Sequence, residues 1–357
     1  MKTGSTRSVA GDKILGIHEV MSEVMNPSEM LSVFTTRAKN KDDIGAARVV
    51  ETHTAIVILI GDRAYKVKKS IRLPYLDFST PEKRRVALQT ELRINQKLAG
   101  GVYLRLSSIS RGVEGAFVLN GPGEPIEWVL EMLRLPESEL LNHRLAAGRV
   151  LPAEVEALGN RLFQFYETAD RRIGAAEIYL KHLRHETMVN REHLLAMGTH
   201  LQPYLSHSSL QYAADLIEQH EREITQRGEA KLIVDGHGDL RLDHICLTNP
   251  PVVFDRLEFD ANMRQIDIYD EINYFALETE LAGQRWIGDT LMKLIERRFQ
   301  PRPSPGLLQA YSLFRLFLKA RLAIDHLLEP FPKTPAKRVE QARYYLAKAR
   351  GLLEAAN

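Results

Sequence analysis

The rhythm of apolar and polar positions changes partway along the chain. From about Val49 the apolar residues are β-branched and come in short runs. Ala55 to Ile60, the pair Gly61-Asp62, and Ala64 to Val67 together predict a hairpin. Pro81 and Glu82 open a stretch to Leu98 in which Val86, Leu88, Leu92, Ile94 and Leu98 recur as a helical stripe, stopped by Gly100-Gly101. Strands are expected over Tyr103–Ile109, Ala116–Leu119 and Glu127–Leu133. Beyond Pro136 the spacing turns helical. It predicts helices over Glu139–Ala147, Pro152–Ala169, Ala175–Asn190, Ser208–Arg227, Asp267–Leu281, Gln284–Arg298, Pro305–Leu328 and Pro335–Ala355. One hairpin, Ile245–Leu247 with Val252–Phe254, interrupts the helices. The first dozen residues read as a polar tail before a short helix around Lys13 to Val24.

The class expected is therefore α+β and bilobal. Residues 1–42 form an extension, 43–132 a small β-rich N-terminal lobe, and 133–357 a larger helical C-terminal lobe, joined near Leu133 to Pro136. Composition agrees: 357 residues, 44% hydrophobic and 26% charged, suffice for two lobes with cores. A net charge of +2 supplies no field for nucleic acid or an anionic membrane, so neither is expected as a partner. Cys246, the one cysteine, excludes an internal disulfide and reads as a buried thiol. With no stretch near the roughly 18 apolar residues of a membrane span, a cytoplasmic protein is the expectation.

Candidate chemistry concentrates in His237–Asp255, HGDLRLDHICLTNPPVVFD. HGDLRLDH can be laid on the kinase catalytic-loop pattern, His-x-Asp-Leu with a metal-binding side chain five residues after the Asp. Asp239 then takes the position of the base, Arg241 that of a neighbouring cation, His244 that of a metal ligand, and Asp255 that of the later metal-binding Asp. Phosphoryl transfer needs phosphates held, their charge compensated and the acceptor aligned. It calls for a strand lysine and a helix glutamate, and Lys66 and Glu91 are placed to be that pair. Lys68, two residues on, points to the same face as Lys66 and competes for the role. Glu51-Thr52-His53-Thr54 occupies the place of a Gly-rich phosphate cover but has no glycine.

These segments resemble the aminoglycoside phosphotransferase-like branch of the protein-kinase-like superfamily. The resemblance rests on ETHTAIVILIGDRAYKVKK, LDFSTPEKRRVALQTELRIN, HGDLRLDHICL, VVFDRLEFD and DIYDEINYFALETE, within about residues 50 to 283. It implies a protein-kinase-like fold, with Asp239 as catalytic base, Asp255 as a Mg²⁺ ligand, Lys66 as nucleotide phosphate contact and Glu91 as its partner. It also implies a hinge at Leu130-Glu131-Met132 whose backbone meets adenine. The partners implied are ATP, or GTP, with Mg²⁺, and a small hydroxyl-bearing acceptor. His244 departs from the pattern, which has Asn there. Imidazole suits Mg²⁺ less well than an amide oxygen does, and makes Mn²⁺ an alternative.

Plainer readings stand beside these. His237 reads as a buried scaffold residue. Arg241 can pair with Asp243 or Glu258, and Lys69 and Arg72 read as a solvated edge. Asp267 reads as a helix N-cap bracing the catalytic loop. Glu278, Glu280 and Arg285 are mixed in charge and name no acceptor. Two rival functions remain: a nucleotide-binding module without turnover, and a metal-dependent phosphohydrolase using His237, Asp239, His244 and Asp255 as ligands.

Overall fold

A computed structural model describes residues 18–19, 27–35, 47–73, 76–112, 115–197, 201, 204–325, 327 and 335–354. The elements begin with β1 (His18–Glu19), α1 (Pro27–Thr35), β2 (Arg48–Glu51), β3 (Ala55–Ile60), β4 (Arg63–Lys68), β5 (Ile71–Leu73) and β6 (Leu76–Asp77). They continue with α2 (Pro81–Asn95), β7 (Tyr103–Arg111), β8 (Phe117–Leu119), β9 (Pro125–Leu133), α3 (Leu141–Ala146) and α4 (Pro152–Thr168). Next come α5 (Ala175–Ala196), α6 (His207–Gln219), α7 (Glu221–Glu229), β10 (Ile233–Asp235), β11 (Ile245–Cys246), β12 (Val252–Val253) and β13 (Gln265–Asp267). The chain closes with α8 (Ile268–Leu281), α9 (Arg285–Arg298), α10 (Pro305–Asp325) and α11 (Pro335–Glu354). The α+β class is as expected, with sheet concentrated in the first part and helices in the rest.

Contacts divide the chain into two units, one comprising β1 to Arg161 with Leu242–Asp260, the other Leu162–Arg241 with the residues from Ala261. The division is thus not a single cut after Met132. The first helical turns and the β11–β12 hairpin group with the sheet, because Leu140 bridges to Cys246 and Leu247 N–H donates to Glu139 O at 2.7 Å.

In the first unit six antiparallel strands run in the order β2-β3-β4-β9-β7-β8. β3 pairs with β4 across the turn at Gly61-Asp62, Val57 opposite Lys66 and Ile60 opposite Arg63. Alternation sends successive side chains to opposite faces. On one face Ile56, Ile58, Ile60, Tyr65 and Val67 pack against Met30, Val33 and Phe34 of α1, with Phe34 stacked on Tyr65 at 4.2 Å. The other face, with Ala64 and Leu130, meets Leu88 of α2. Helix α1 was not foreseen from sequence. The span expected to be a helix around Lys13–Val24 contains strand β1, paired with Ile71 and Arg72; its other residues lie outside the described set.

Helix α2 begins at an N-cap, Thr80, whose hydroxyl accepts the Lys83 N–H, with Pro81 at its first position. Its buried face is Arg84, Ala87, Leu88, Glu91, Ile94 and Asn95, while Val86 is exposed and the helix ends before Leu98. Leu88, Ile94 and Leu98 of the expected stripe are buried, and two charged residues, Arg84 and Glu91, share the inward side in place of Val86. Arg84 is held there by Glu127 at 2.6 Å and Phe78 O at 2.8 Å.

In the second unit α5, α6, α10 and α11 enclose one apolar core that includes Tyr179, Leu183, Leu216, Tyr311, Phe314, Phe317 and Leu346. The single helix expected over Ser208–Arg227 is two, α6 and α7, divided at His220, whose Nδ1 donates to Leu216 O at 2.8 Å. A two-stranded ribbon, β10 with β13, sets Val234 opposite Ile266 and delivers the chain to His237 on one side and α8 on the other.

Candidate active site

Two clusters carry the sequence-predicted residues, one in each unit. The first is built on the sheet. Lys66 lies at the centre of β4, between Val57 of β3 and Leu130 of β9, and faces α2. Its Nζ is 2.6 Å from Glu91 Oε1 and 2.7 Å from Asp255 Oδ1. Lys68, two residues on and on the same face, lies 2.8 Å from Glu91 Oε2 and 2.5 Å from Glu258 Oε1. Glu91 is fully buried between both lysines, accepting a hydrogen bond from Lys66 on Oε1 and lying within ion-pair distance of Lys68 on Oε2, which accepts no hydrogen bond.

Asp255 arrives through the β11–β12 hairpin. Its register sets Ile245 opposite Val253, and Phe254 N–H donates to His244 O at 3.0 Å. The hairpin ends are thereby adjacent, with His244 Nε2 3.7 Å from Asp255 Oδ2. Asp255 has φ of 61°, in the left-handed region that most side chains avoid. Its N–H donates to the Tyr103 hydroxyl at 3.0 Å, and the Lys66 bond holds its side chain. A residue kept in a sparsely populated conformation by several contacts is a mark of functional sites.

The electrostatics follow from the pairing. Burial by itself would lower the Lys66 ammonium, but Asp255 and Glu91 outweigh it and hold the group well above the ordinary lysine value. Enclosure raises the Asp255 carboxyl less than Lys66, His244 and Lys68 depress it, so it lies below the usual carboxylate range. The side chain of Asp255 keeps 35% of its exposure, which leaves it accessible to a ligand.

The second cluster is the His237–Arg241 loop. Gly236 has no room for a side chain, since a Cβ would come 2.4 Å from Ile266 and 2.8 Å from Glu271. Gly238 takes φ of 84°, which glycine adopts without strain. The buried Glu271 carboxylate of α8 accepts the His237 N–H at 3.0 Å, the Gly238 N–H at 2.7 Å and the Tyr166 hydroxyl at 2.8 Å. His237 is buried, and its Nδ1 accepts the Asp239 N–H at 3.3 Å, in keeping with a scaffold role. Asp239 Oδ2 lies 3.3 Å from Arg241 Nε, an ion pair within the loop.

Asp267 caps α8 by accepting the Tyr269 N–H at 2.8 Å. Its side chain binds Arg227 and Tyr311, however, and the loop is braced by Glu271, one turn further along α8. Glu131 and Met132, expected at a hinge, lie inside β9 with strands on both sides. Glu131 opposes Tyr65, on the sheet face away from Lys66, and binds Ser107 at 2.5 Å and Arg105 at 2.7 Å. The strand runs on to Leu133. Sequence reasoning also missed Glu258, Glu271, Tyr103, Asn95 and Arg256, because isolated polar residues carry no periodic signal. Cys246 is buried, and burial pushes its thiol up to about 11.

A magnesium nucleotide site takes one or two protein donors and completes its shell with phosphates and water. Asp255 fits that requirement as a carboxylate donor, and the His244 imidazole beside it suits Mn²⁺ better than Mg²⁺. No group of three or more His, Cys, Asp or Glu side chains among the described residues is arranged to hold a metal, so the four-ligand centre of the phosphohydrolase reading is absent from them. No helix among them is long and apolar enough to cross a membrane.

No protein-family model matches the chain. Uncharacterised proteins of Mycobacterium bovis and Mycobacterium tuberculosis are 27% identical over 304 residues, covering 82% of this chain. The match spans 57% of those relatives' own length. A choline/ethanolamine kinase family protein of Mesorhizobium loti is 13% identical with a TM-score of 0.49, covering 92% of this chain and 95% of that one. A choline kinase of Cryptosporidium parvum is 11% identical with a TM-score of 0.48, covering 93% and 97%. Spectinomycin phosphotransferase in its AMP-bound complex is 8% identical with a TM-score of 0.44, covering 90% and 98%. The structural neighbours are thus small-molecule kinases and a phosphotransferase, at a likeness too low to argue activity from.

Proposed function

We propose that the protein is a phosphotransferase that moves the γ-phosphate of ATP, or of GTP, to a hydroxyl of a small molecule. One observation carries the reading: a strand lysine held between a helix glutamate and a hairpin-borne aspartate, Lys66 with Glu91 at 2.6 Å and Asp255 at 2.7 Å. A core pair needs one carboxylate. The second, partly exposed partner suits a lysine that exchanges an aspartate for phosphate oxygens.

In the proposed reaction Lys66, steadied by Glu91, binds phosphate oxygens. Asp239 accepts the hydrogen bond of the acceptor hydroxyl and takes its proton as the oxygen bonds to the γ-phosphorus, while the bond from that phosphorus to the β–γ bridging oxygen breaks and the nucleoside diphosphate leaves with its electron pair. Arg241, paired with Asp239 at 3.3 Å, offsets charge at the transferring group. Asp255 and His244 would hold the divalent ion, Mg²⁺ or Mn²⁺, whose chemistry is to neutralise charge on the phosphates.

Labelled ATP offered with a panel of hydroxyl metabolites and antibiotics, in Mg²⁺ and in Mn²⁺, tests the reading. Wild type is expected to label one class of acceptor, and Asp239→Asn to lose at least ~10³-fold in rate while still taking up nucleotide. Full activity in Asp239→Asn refutes the role of that residue. The Lys66–Asp255 bond also suits a nucleotide-binding module without turnover, since it occupies an oxygen of the metal-binding aspartate. Nucleotide uptake with no transfer to any acceptor in either metal would favour that module.

A further inference from the structure

The proposed phosphate contact uses Lys66, Glu91 and Asp255, and leaves Lys68, on the same sheet face, and its partner Glu258 without a task. The Lys68 side chain is 1% exposed and that of Glu258 9%. Removing charges from water is costly unless they are paired, and these are paired in a particular order. Asp255, Lys66, Glu91, Lys68 and Glu258 form a line of alternating charges, at 2.7, 2.6, 2.8 and 2.5 Å. The line starts and finishes on the same four-residue segment, Asp255 to Glu258. That segment is further pinned to the end of α2: Arg256 N–H donates to Asn95 Oδ1 at 3.0 Å and Arg256 Nη1 to Ile94 O at 2.8 Å. Asn95 in turn donates to Glu91 O at 2.9 Å.

We infer that Lys68 and Glu258 are positioning residues that set the reach of Lys66 and the placement of Asp255. A carboxylate has two oxygens and an ammonium three protons. A single lysine beside Glu91 would draw on both oxygens and be pulled toward the helix. With the Lys68 ammonium 2.8 Å from Oε2, its charge keeps that oxygen from drawing Lys66 further in, and Lys66 bonds through Oε1 and keeps its remaining protons for Asp255 and, on the phosphotransferase reading, for phosphate. Glu258 offsets the mutual repulsion of the two lysines, and it ties the backbone that carries Asp255 to the same cluster. What Lys66 then binds rests on the reading above; its placement does not.

The ammonium signal of Lys66 in protein labelled with ¹⁵N-lysine, assigned by its loss in Lys66→Met, reports the placement without any ligand. In Glu258→Gln the Lys66 resonance is expected to shift, and its protons to exchange with water about 10-fold faster. Lys68→Met should act in the same sense. Should Lys68→Met fail to fold, Glu258→Gln, which keeps the shape and one acceptor oxygen, carries the test. A Lys66 signal unchanged in Glu258→Gln overturns the inference. Mg·ATP binding gives the second arm: Glu258→Gln should weaken it about 10-fold in the wild-type background and less than about 2-fold in the Lys66→Met background, because the effect passes through Lys66. Equal weakening in both backgrounds would mean general structural support and overturn it too. A wild-type chain that takes up no Mg·ATP while the Lys66 signal responds would remove the phosphotransferase reading and leave the positioning role standing.

Discussion

Replacing Glu271 by Gln keeps the size and shape of a side chain that is 1% exposed, and changes only its hydrogen-bonding character. Oε1 accepts the Gly238 N–H at 2.7 Å, and Oε2 accepts both the His237 N–H at 3.0 Å and the Tyr166 hydroxyl at 2.8 Å. Whichever way the amide turns, its NH₂ meets a donor. The less costly orientation puts it against Gly238 and leaves one partly buried backbone donor unmet, about 1–3 kcal/mol. The other two bonds lose charge assistance, which adds about 0.5 kcal/mol each. A loss of roughly 2–4 kcal/mol is therefore expected, read as the drop in urea midpoint multiplied by the slope. Tyr166→Phe, which removes one donor and strands none, should cost only about 1 kcal/mol. Because the loop carries Asp239, activity should fall in Glu271→Gln even below its unfolding transition. A stability change under about 0.5 kcal/mol in Glu271→Gln would refute the claim that this carboxylate organises the loop.

Three further outcomes follow from the geometry. The folded Asp255 carboxyl lies below its ordinary value of 3.8 and the folded Lys66 ammonium above 10.5. The aspartate contribution is complete above the first value and lost as pH falls below it, and the lysine contribution is complete below the second and lost as pH rises above it. Neither Lys66 nor Asp255 should therefore titrate in wild type from about pH 5 to about pH 10. In Lys66→Met the buried Glu91 carboxyl, already raised by enclosure, loses a compensating charge, so the stability difference between the two proteins should change with pH inside that window, and a flat difference would contradict the pairing. His244→Asn, which replaces imidazole by an amide oxygen, should raise the ratio of Mg²⁺-supported to Mn²⁺-supported activity several-fold; an unchanged ratio would place His244 outside the metal site. Cys246, buried and with its thiol pushed up to about 11, should resist alkylation at pH 8 in the native protein and react on unfolding.

The β3–β4 hairpin was legible because alternation and the Gly61-Asp62 turn agree, and every helix from Pro152 onwards was visible as an apolar period. Helix α2 was placed with Leu88, Leu92, Ile94 and Leu98 rightly inward, Val86 being the one member of the stripe that is exposed. Hydrophobic periodicity reads Arg84 and Glu91 as outward, and only their ion pairs, made with residues distant in sequence, bring them in. The break at His220 has neither Gly nor Pro to announce it. Strands of two or three residues such as β1, β10 and β13 are too short to show a period. Lys66, Glu91 and Asp255 were found because a motif spacing ties them together. Glu258 and Glu271 were not, since a glutamate carries no local sign that a lysine or a loop backbone will enclose it.

The most direct measurement is calorimetric binding of ATP to the wild-type and Lys66→Met proteins, with and without Mg²⁺. The account predicts binding that needs the metal and weakens at least about 10-fold when the amine is removed, the loss of one charge-assisted phosphate contact. No uptake of nucleotide by the wild-type protein, or equal affinity in the two proteins, would contradict it.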